Sequence, residues 1–586
     1  MCGIYGSTLV GKTDDRHRAA LNTLVHRGPD QSGEWSDGRV FMGHRRLSIM
    51  DLSESGRQPM ASDEPAVVIA VNGEIYNFLH LRRELESEFR FRSRSDSEVV
   101  LHGFAKWGLD GLIERLEGMY AIAIYDRSAG QIHLVRDRIG IKPIYYALHR
   151  GQFVWASELQ AIVAHFGSSE LDVDQSALYD FLTYLYVPAP KSVYRGVFKV
   201  RPAHVITLDL TNMSLQDRKY WDLSLEVTPI STASATEQLR ELLQQSVSEQ
   251  MMSDVDVGYF LSGGLDSSSV VAFAESDSSN NRTFAIGFDD VTHSETKFAR
   301  LVAEHCGLQH NEKILTEEAV LDLVDDFVGW FAEPFADTSA FPTYLVSEFA
   351  RRQVKVVLTG DGGDEVFGGY NWYRMFEIVE RQNRRTHIGN FLGGALKKMP
   401  LRRASVAGRA RNKILREVCL EGIELYAALL GGLIRAEKTR YRHRLDIPKD
   451  YDDYWHFRKF YKPELSLFTR LQYLDLCTYL PDDILTKVDR VSMAVSLESR
   501  VPLLSTKLVE FSFSLPDEIR LPAGELKGLL KNAVRDMLPQ SIISRGKKGF
   551  SVPERNWTTG FFDKRYTKQE NILRAFDNRF GWGSLD

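Results

Sequence analysis

From about residue 235 the chain alternates between short apolar strands and helices, and this alternation limits its fold more than any other feature. The helical run EQLRELLQQSVSEQM precedes the strand VDVGYFL, the turn SGGLDSS and the helical SVVAFAES. TFAIGF then precedes helical TKFARLVAEHCG, and VKVVLTG precedes GDGGDEVFGGY. Strands separated by helices pair in parallel, so this part is expected to be an α/β, doubly wound parallel sheet with large helical additions. Ligands of such sheets bind beyond the C-terminal strand ends, and both glycine-rich stretches fall there.

The residues before about 205 follow a different rule. VFMGHRRLSIMDL, AVVIAVNGEIYN, MYAIAIYDR, QIHLVRDR and QFVWASE are β-branched and aromatic runs separated by turn residues, with helical LHLRRELE and SEVVLHGFAKWG between them. Antiparallel sheets stacked face to face and covered by helices are expected. The proline-bearing YVPAPKSVYRGVFKVRPAH reads as a connector. At 586 residues the chain exceeds one core, and the division is drawn as 1–205 and 206–586.

A net charge of −6 gives no sign of a nucleic-acid partner. No apolar run reaches the length of a membrane span, and no signal-peptide pattern opens the chain. Cys2, Cys306, Cys419 and Cys477 are far apart and form no CxxC pair, which argues against a zinc ribbon or disulfide framework and for a cytoplasmic setting.

In SGGLDSS the glycines let a ligand approach the backbone, the following helix offers its N–H groups to an anion, and Ser262, Ser267 and Ser268 add hydroxyls. The loop lacks the Walker pattern. A plain strand-to-helix turn would account for Gly263 and Gly264 but not for the serines and Asp266. GDGGDE places Asp361, Asp364 and Glu365 among glycines, a grouping that suits a cation held jointly with phosphates, as Mg²⁺ prefers. At the other end, MCGIYG admits two readings. Cys2 is either a small buried hydrophobe or, once Met1 is removed, a nucleophile carrying its own α-amine as base. The acid-free stretch 381–413 reads either as a solvated helical insertion or as a contact for an anionic substrate.

Taken together, MCGIYG, HRGPD, RRLSIMDL, VNGEIYN, SDSE and RDRIGIKPIYYA resemble a class II glutamine amidotransferase domain of the Ntn-hydrolase αββα type. SGGLDSS, TGDGGDE, LTKVDRVSMAVSLESRVPLL and KKGFSVP resemble the synthetase domain of glutamine-hydrolysing asparagine synthetases. The resemblance runs from Cys2 to about Trp557. It implies that Cys2 attacks the glutamine amide and that Arg46, in the Leu47, Ser48, Ile49 segment, holds the glutamine carboxylate. It further implies that Asn72 and Gly73 form the oxyanion hole and that Glu74 and Asp96 lie near the amine. In the second half it implies ATP across Leu261, Ser262, Gly263, Gly264, Asp266, Ser267 and Ser268, with Ile286, Thr359, Gly360, Lys487 and Lys527, and Mg²⁺ on Asp266 and Asp364. Lys527 taken alone also reads as a solvated helical lysine.

The implied reaction adenylates a carboxylate and converts it to an amide with ammonia from glutamine. Aspartate is the first acceptor in line, and a homodimer is the family's frequent assembly. Departures are visible. The first acidic position of the glycine loop is Asp361, where one branch carries Glu to aid amide formation. Ser505 follows RVPLL where many relatives carry Asp. EPFADTSAFPTYL resembles branches that include asparagine synthetases and also enzymes amidating other carboxylates, such as uronic acids of surface polysaccharides. A catalytically silent regulatory homologue is the third alternative.

Overall fold

The structure, a computed structural model, describes residues 2–9, 15–63, 66–274, 281–289, 294–385, 420–546 and 567–582. Three sheets organise them. The first runs Val197–Lys199, Tyr145–His149, Gln152–Ala156, Cys2–Thr8, Val40–Arg46 and Gln31–Ser36. The second runs Ser214–Lys219, His204–Asp209, Gln131–Arg136, Gly118–Asp126, Ala66–Ile75 and Met60–Asp63. Both are antiparallel throughout, and they stack on one another. Ile4, Met42, Val68, Ala121, Leu134 and Trp155 fill the space between them. The period-two alternation of a strand then turns the neighbouring Tyr5 outward, onto a layer with Leu21, Ile162 and Phe181 from three helices. Helices Phe78–Leu85 and Glu98–Arg115 cover the outer face of the second sheet. The result is the four-layer αββα arrangement of an Ntn-hydrolase-type sandwich.

The connector contributes a strand of its own, Val197–Lys199, paired with Tyr145–Ala147. The division expected at 205/206 falls inside the strand His204–Asp209, and hydrogen bonding to Ser214–Lys219 carries the second sheet on to Lys219.

The third sheet is parallel, in the order Gln309–Leu315, Arg282–Phe288, Val257–Phe260, Val356–Leu358, Glu498–Arg500. In chain order this is 3-2-1-4-5, so the winding reverses between Val257–Phe260 and Val356–Leu358, where doubly wound sheets open a crevice. SGGLDSS and GDGGDE follow those two strands. Further helices between 420 and 582 are added around the sheet. The basic stretch begins in the helix Asn371–Arg385, and the rest of it, like KKGFSVP and Met1, lies outside the described residues. Among the described residues no helix is long and apolar enough to cross a membrane.

Candidate active sites

Cys2 opens the central strand of the first sheet and lies opposite Arg46 in register. Its backbone N–H donates to Asn72 Oδ1 (3.0 Å), on the facing sheet, and its carbonyl accepts from Arg27 Nε (3.0 Å). Burial pushes the thiol up, against the lowering influence of the Leu47 N–H and Arg46. The thiol is therefore neutral near pH 7 and needs a base before it can attack. Asn72 Nδ2 is buried without a partner among the described residues, an arrangement that ordinarily costs about 1–3 kcal/mol and marks a donor awaiting an acceptor. Beside it Gly73 has φ 152°, and a Cβ there would run into the Met119 carbonyl, so the backbone needs glycine at this point.

Arg46 is fixed more firmly than the motif suggests. Its terminal nitrogens donate to Gln31 Oε1 (2.7 Å) and to the carbonyls of Ser53 (3.1 Å), Met50 (2.9 Å) and Asp51 (2.6 Å). These bonds take up the four terminal N–H groups and leave Nε–H for a ligand. Leu47 and Ile49 bury their side chains in the core shared with the parallel-sheet unit, so only their backbones can face Cys2. The Ser48 N–H donates to Asp30 (2.8 Å), while its buried hydroxyl has no partner among the described residues. Asp96 accepts from the Ile75 N–H (2.8 Å). Burial, with Glu498 and Asp96 close by, pushes the Glu74 carboxyl well up, and burial with Glu498 nearby does the same for Asp96. A pocket with such crowded carboxyls is suited to a ligand ammonium.

At the crevice, Gly263 (φ 71°) turns the chain where a Cβ would meet Phe298 at 2.5 Å. Ser262 and Ser267 join their hydroxyls (3.1 Å), and the helix Leu265–Ala272 begins with Asp266 in its first turn. The second loop presses in so closely that a Cβ on Gly360 would lie 2.5 Å from Ser267 N. The two loops share one cavity of about 880 Å³, within the range of nucleotide-sized sites. Ile286 with Phe284, Ala285 and Phe288 makes an apolar end, and Leu261, Thr359, Asp361, Asp364, Lys487 and Lys527 line the polar part. Asp361 accepts from the Thr359 hydroxyl (2.8 Å). Lys527 Nζ bridges Asp266 and Asp364, so the alternative of a solvated lysine does not hold. That ammonium stands between two carboxylates as a metal ion would, and the donor set fits a cation that takes its remaining ligands from phosphates. Among the described residues no group of three or more His, Cys, Asp or Glu side chains is placed to hold a metal by itself.

Several residues emerge only in three dimensions. Lys487 donates to Ser339 Oγ (2.9 Å) and pairs with Asp337 (3.2 Å). Burial alone would lower this lysine, and Asp337, Asp361 and Asp483 hold it above its ordinary value. The same helix, Leu485–Met493, turns its next residues toward Cys2. Asp489 takes Arg27 at 2.8 and 3.1 Å and Lys142 at 3.7 Å, and Arg490 pairs with Glu158 (3.0 Å), which also takes Arg27 (2.8 Å). Arg500 pairs with Glu498 (2.7 Å) and reaches Glu74 (3.5 Å). Arg27, Asp337, Lys487, Asp489 and Arg490 sit in HRGPD, EPFADTSAF and LTKVDR, where nothing local names their partners.

Residues 238–571 match the asparagine synthase family, and residues 1–221 match the glutamine amidotransferase domain. The chain is 32% identical over 569 residues to asparagine synthetase [glutamine-hydrolyzing] 1 of Bacillus subtilis, covering 95% of this chain and 88% of that protein. It is 34% identical over 531 residues to the putative asparagine synthetase [glutamine-hydrolyzing] 2 of Methanocaldococcus jannaschii, covering 84% and 98%. It is also 29% identical over 607 residues to amidase chry2 of Gibberella zeae, covering 94% and 86%.

Proposed function

The chain belongs to the asparagine synthase family of glutamine-hydrolysing ligases, and from that premise we propose that it adenylates aspartate with ATP and converts it to asparagine with ammonia from glutamine. The observation that carries this reading is a pair of unlike sites, a buried thiol and a nucleotide-sized crevice, bridged by the single helix Leu485–Met493. The division of labour follows the fold, with a glutaminase unit that includes the hairpin to Lys219 and a synthetase unit after it.

In the glutaminase unit, removal of Met1 would leave the Cys2 α-amine, with a pKa of about 8, donating to Asn72 Oδ1 while its lone pair takes the thiol proton. Sγ then attacks the glutamine amide carbon. The oxyanion meets Asn72 Nδ2–H and the Gly73 N–H, the amine returns its proton to the leaving nitrogen as ammonia departs, and water hydrolyses the thioester to glutamate. Arg46 Nε–H would meet the glutamine carboxylate, helped by backbone groups of Leu47, Ser48 and Ile49. Glu74 and Asp96 would meet its ammonium. Asn72→Ala is expected to lower glutaminase kcat by about 10²–10³-fold with little change in KM, as read from glutamate release.

In the synthetase unit the acceptor carboxylate attacks the α-phosphate of ATP and pyrophosphate leaves. Ammonia displaces AMP from the acyl-adenylate. Ser262, Ser267 and the N–H groups opening the helix at Leu265 would hold phosphate oxygens, with Thr359 and Gly360 lining the same cavity wall, whereas Ser268 is fully buried outside the cavity lining. Asp266 and Asp364 would hold Mg²⁺, which when bound offsets charge on the departing pyrophosphate. Lys487, kept ionised by its three acids, would face the α-phosphate, and Asp361 would accept a proton as the attacking nitrogen becomes an amide.

A second reading keeps this mechanism and changes the acceptor to another carboxylate, such as a uronic acid. What favours it is the wall of the cavity formed by Tyr370, Trp372 and Tyr479, whose aromatic faces suit a larger acceptor. Pyrophosphate release measured with ATP, Mg²⁺ and glutamine, with and without aspartate, separates the two. Aspartate-dependent release matched by asparagine is the expected result. Glutaminase activity with no response to aspartate would move the assignment to the second reading.

A further inference from the structure

Lys527 is placed with unusual constraint. It has φ 56°, a left-handed backbone that costs a residue with a Cβ about 1–2 kcal/mol. Its Nζ touches Asp266 Oδ2 and lies 2.5 Å from Asp364 Oδ1. Two glycines make room for the arrangement. A Cβ on Gly369 would run into Asp364 Oδ1 and Lys527 Cε, and a Cβ on Gly363 would lie 2.6 Å from Asp266 Cγ. The lysine is 7% exposed, so its ammonium is not a surface charge that happens to find acids.

We propose that Lys527 is a placeholder cation, which stands between Asp266 and Asp364 and keeps the pair spaced for a divalent ion, and which yields that place only when the ion arrives with the nucleotide. This rests on the reading of the cavity as a metal–nucleotide site. Two carboxylates brought this close and half-buried repel one another unless a cation stands between them. The ammonium supplies that charge. A bare divalent ion entering alone must evict Lys527 toward cavity acids that already have partners: Asp337 holds Lys487, Glu295 holds Arg545, Glu525 holds Lys531, and Asp361 and Glu365 accept from Thr359 and Tyr370. An ion entering with ATP brings phosphate oxygens, to which the displaced ammonium can turn. Metal uptake is thereby coupled to nucleotide uptake, and the lysine that guards the acids becomes a ligand of the leaving pyrophosphate. Lys527 acts here as a positioning residue toward the metal, distinct from any part it plays in the chemical step.

The test is Mn²⁺ binding to the full-length protein, followed by the electron paramagnetic resonance signal of free Mn²⁺, with and without a non-hydrolysable ATP analogue. With the Mn²⁺ taken up by the analogue alone measured in a protein-free control and subtracted, the wild type is expected to bind Mn²⁺ about tenfold or more weakly without the analogue than with it. Lys527→Met keeps the aliphatic stem and is expected to gain about tenfold or more in nucleotide-free Mn²⁺ affinity, with a thermal midpoint that Mn²⁺ alone raises. Lys527→Gln serves the same purpose should the methionine variant fail to fold, with circular dichroism as the check. Nucleotide-independent Mn²⁺ uptake by the wild type, or no gain in a folded variant, overturns the placeholder alone. Absence of Mn²⁺ uptake by the wild type even with the analogue overturns the metal–nucleotide reading as well.

Discussion

Cys2→Ala is expected to lower glutamine-dependent amide synthesis by about 10³-fold or more, while synthesis supplied with ammonium salts continues near the wild-type rate. The expectation follows from the separation of the two sites. The thiol lies at the start of a strand in the antiparallel sandwich, and the contacts that position it, to Asn72 and Arg27, run through its backbone rather than its sulfur. Removing one buried sulfur leaves those contacts in place and costs the fold about 1 kcal/mol. Glutamate release and amide formation measured on the same preparation decide the matter. Loss of both activities in a variant that retains its circular dichroism would show that the thiol site and the crevice are not independent.

The converse variant, Asp266→Asn, is expected to reduce ATP-dependent pyrophosphate release by about 10³-fold while glutaminase activity persists. Asparagine has nearly the shape of aspartate, so the approach of Gly363 and the turn of the helix at Leu265 are preserved. What is lost is one of the two negative charges that Lys527 now bridges. Pyrophosphate release by a coupled assay, beside glutamate release, reads both outcomes. Unchanged pyrophosphate release would remove Asp266 from the nucleotide chemistry.

The two predictions also show where the sequence spoke plainly. Strand–helix alternation located the parallel sheet, because Val257–Phe260 and Val356–Leu358 are apolar runs ended by glycines. It passed over Gln309–Leu315, a partly exposed strand that mixes polar and apolar residues. It also passed over Glu498–Arg500, a three-residue strand with a charge at each end. That segment is buried because Arg500 is neutralised by Glu498 and Glu74, one of them on the opposite unit, and no local pattern reports a partner so far along the chain. The site residues divide in the same way. SGGLDSS and GDGGDE announce themselves through glycine and charge in one short window. Asp337, Asp489 and Arg27 act through partners more than a hundred residues distant, so their roles exist only after folding. Arg46 was legible as a residue that matters, but its saturation by the carbonyls of Met50, Asp51 and Ser53 depends on the path of the turn that follows it.

The charges between the two units bear on how such a protein can be engineered. Leu47, Ile49, Met119, Ile139 and Ile141 share a core with Leu239, Val270 and Leu503, and Arg27, Lys142 and Glu158 find their counter-ions on Asp489 and Arg490. A half produced alone would present this apolar face to water and would lose the counter-charges that Arg27, Lys142 and Glu158 are built to meet. The halves are therefore poor cassettes. A chimera that joined this glutaminase to another enzyme's ligase would have to import the complementary side of the seam along with the catalytic loops, and a split version would have to be judged by whether its fragments find each other again.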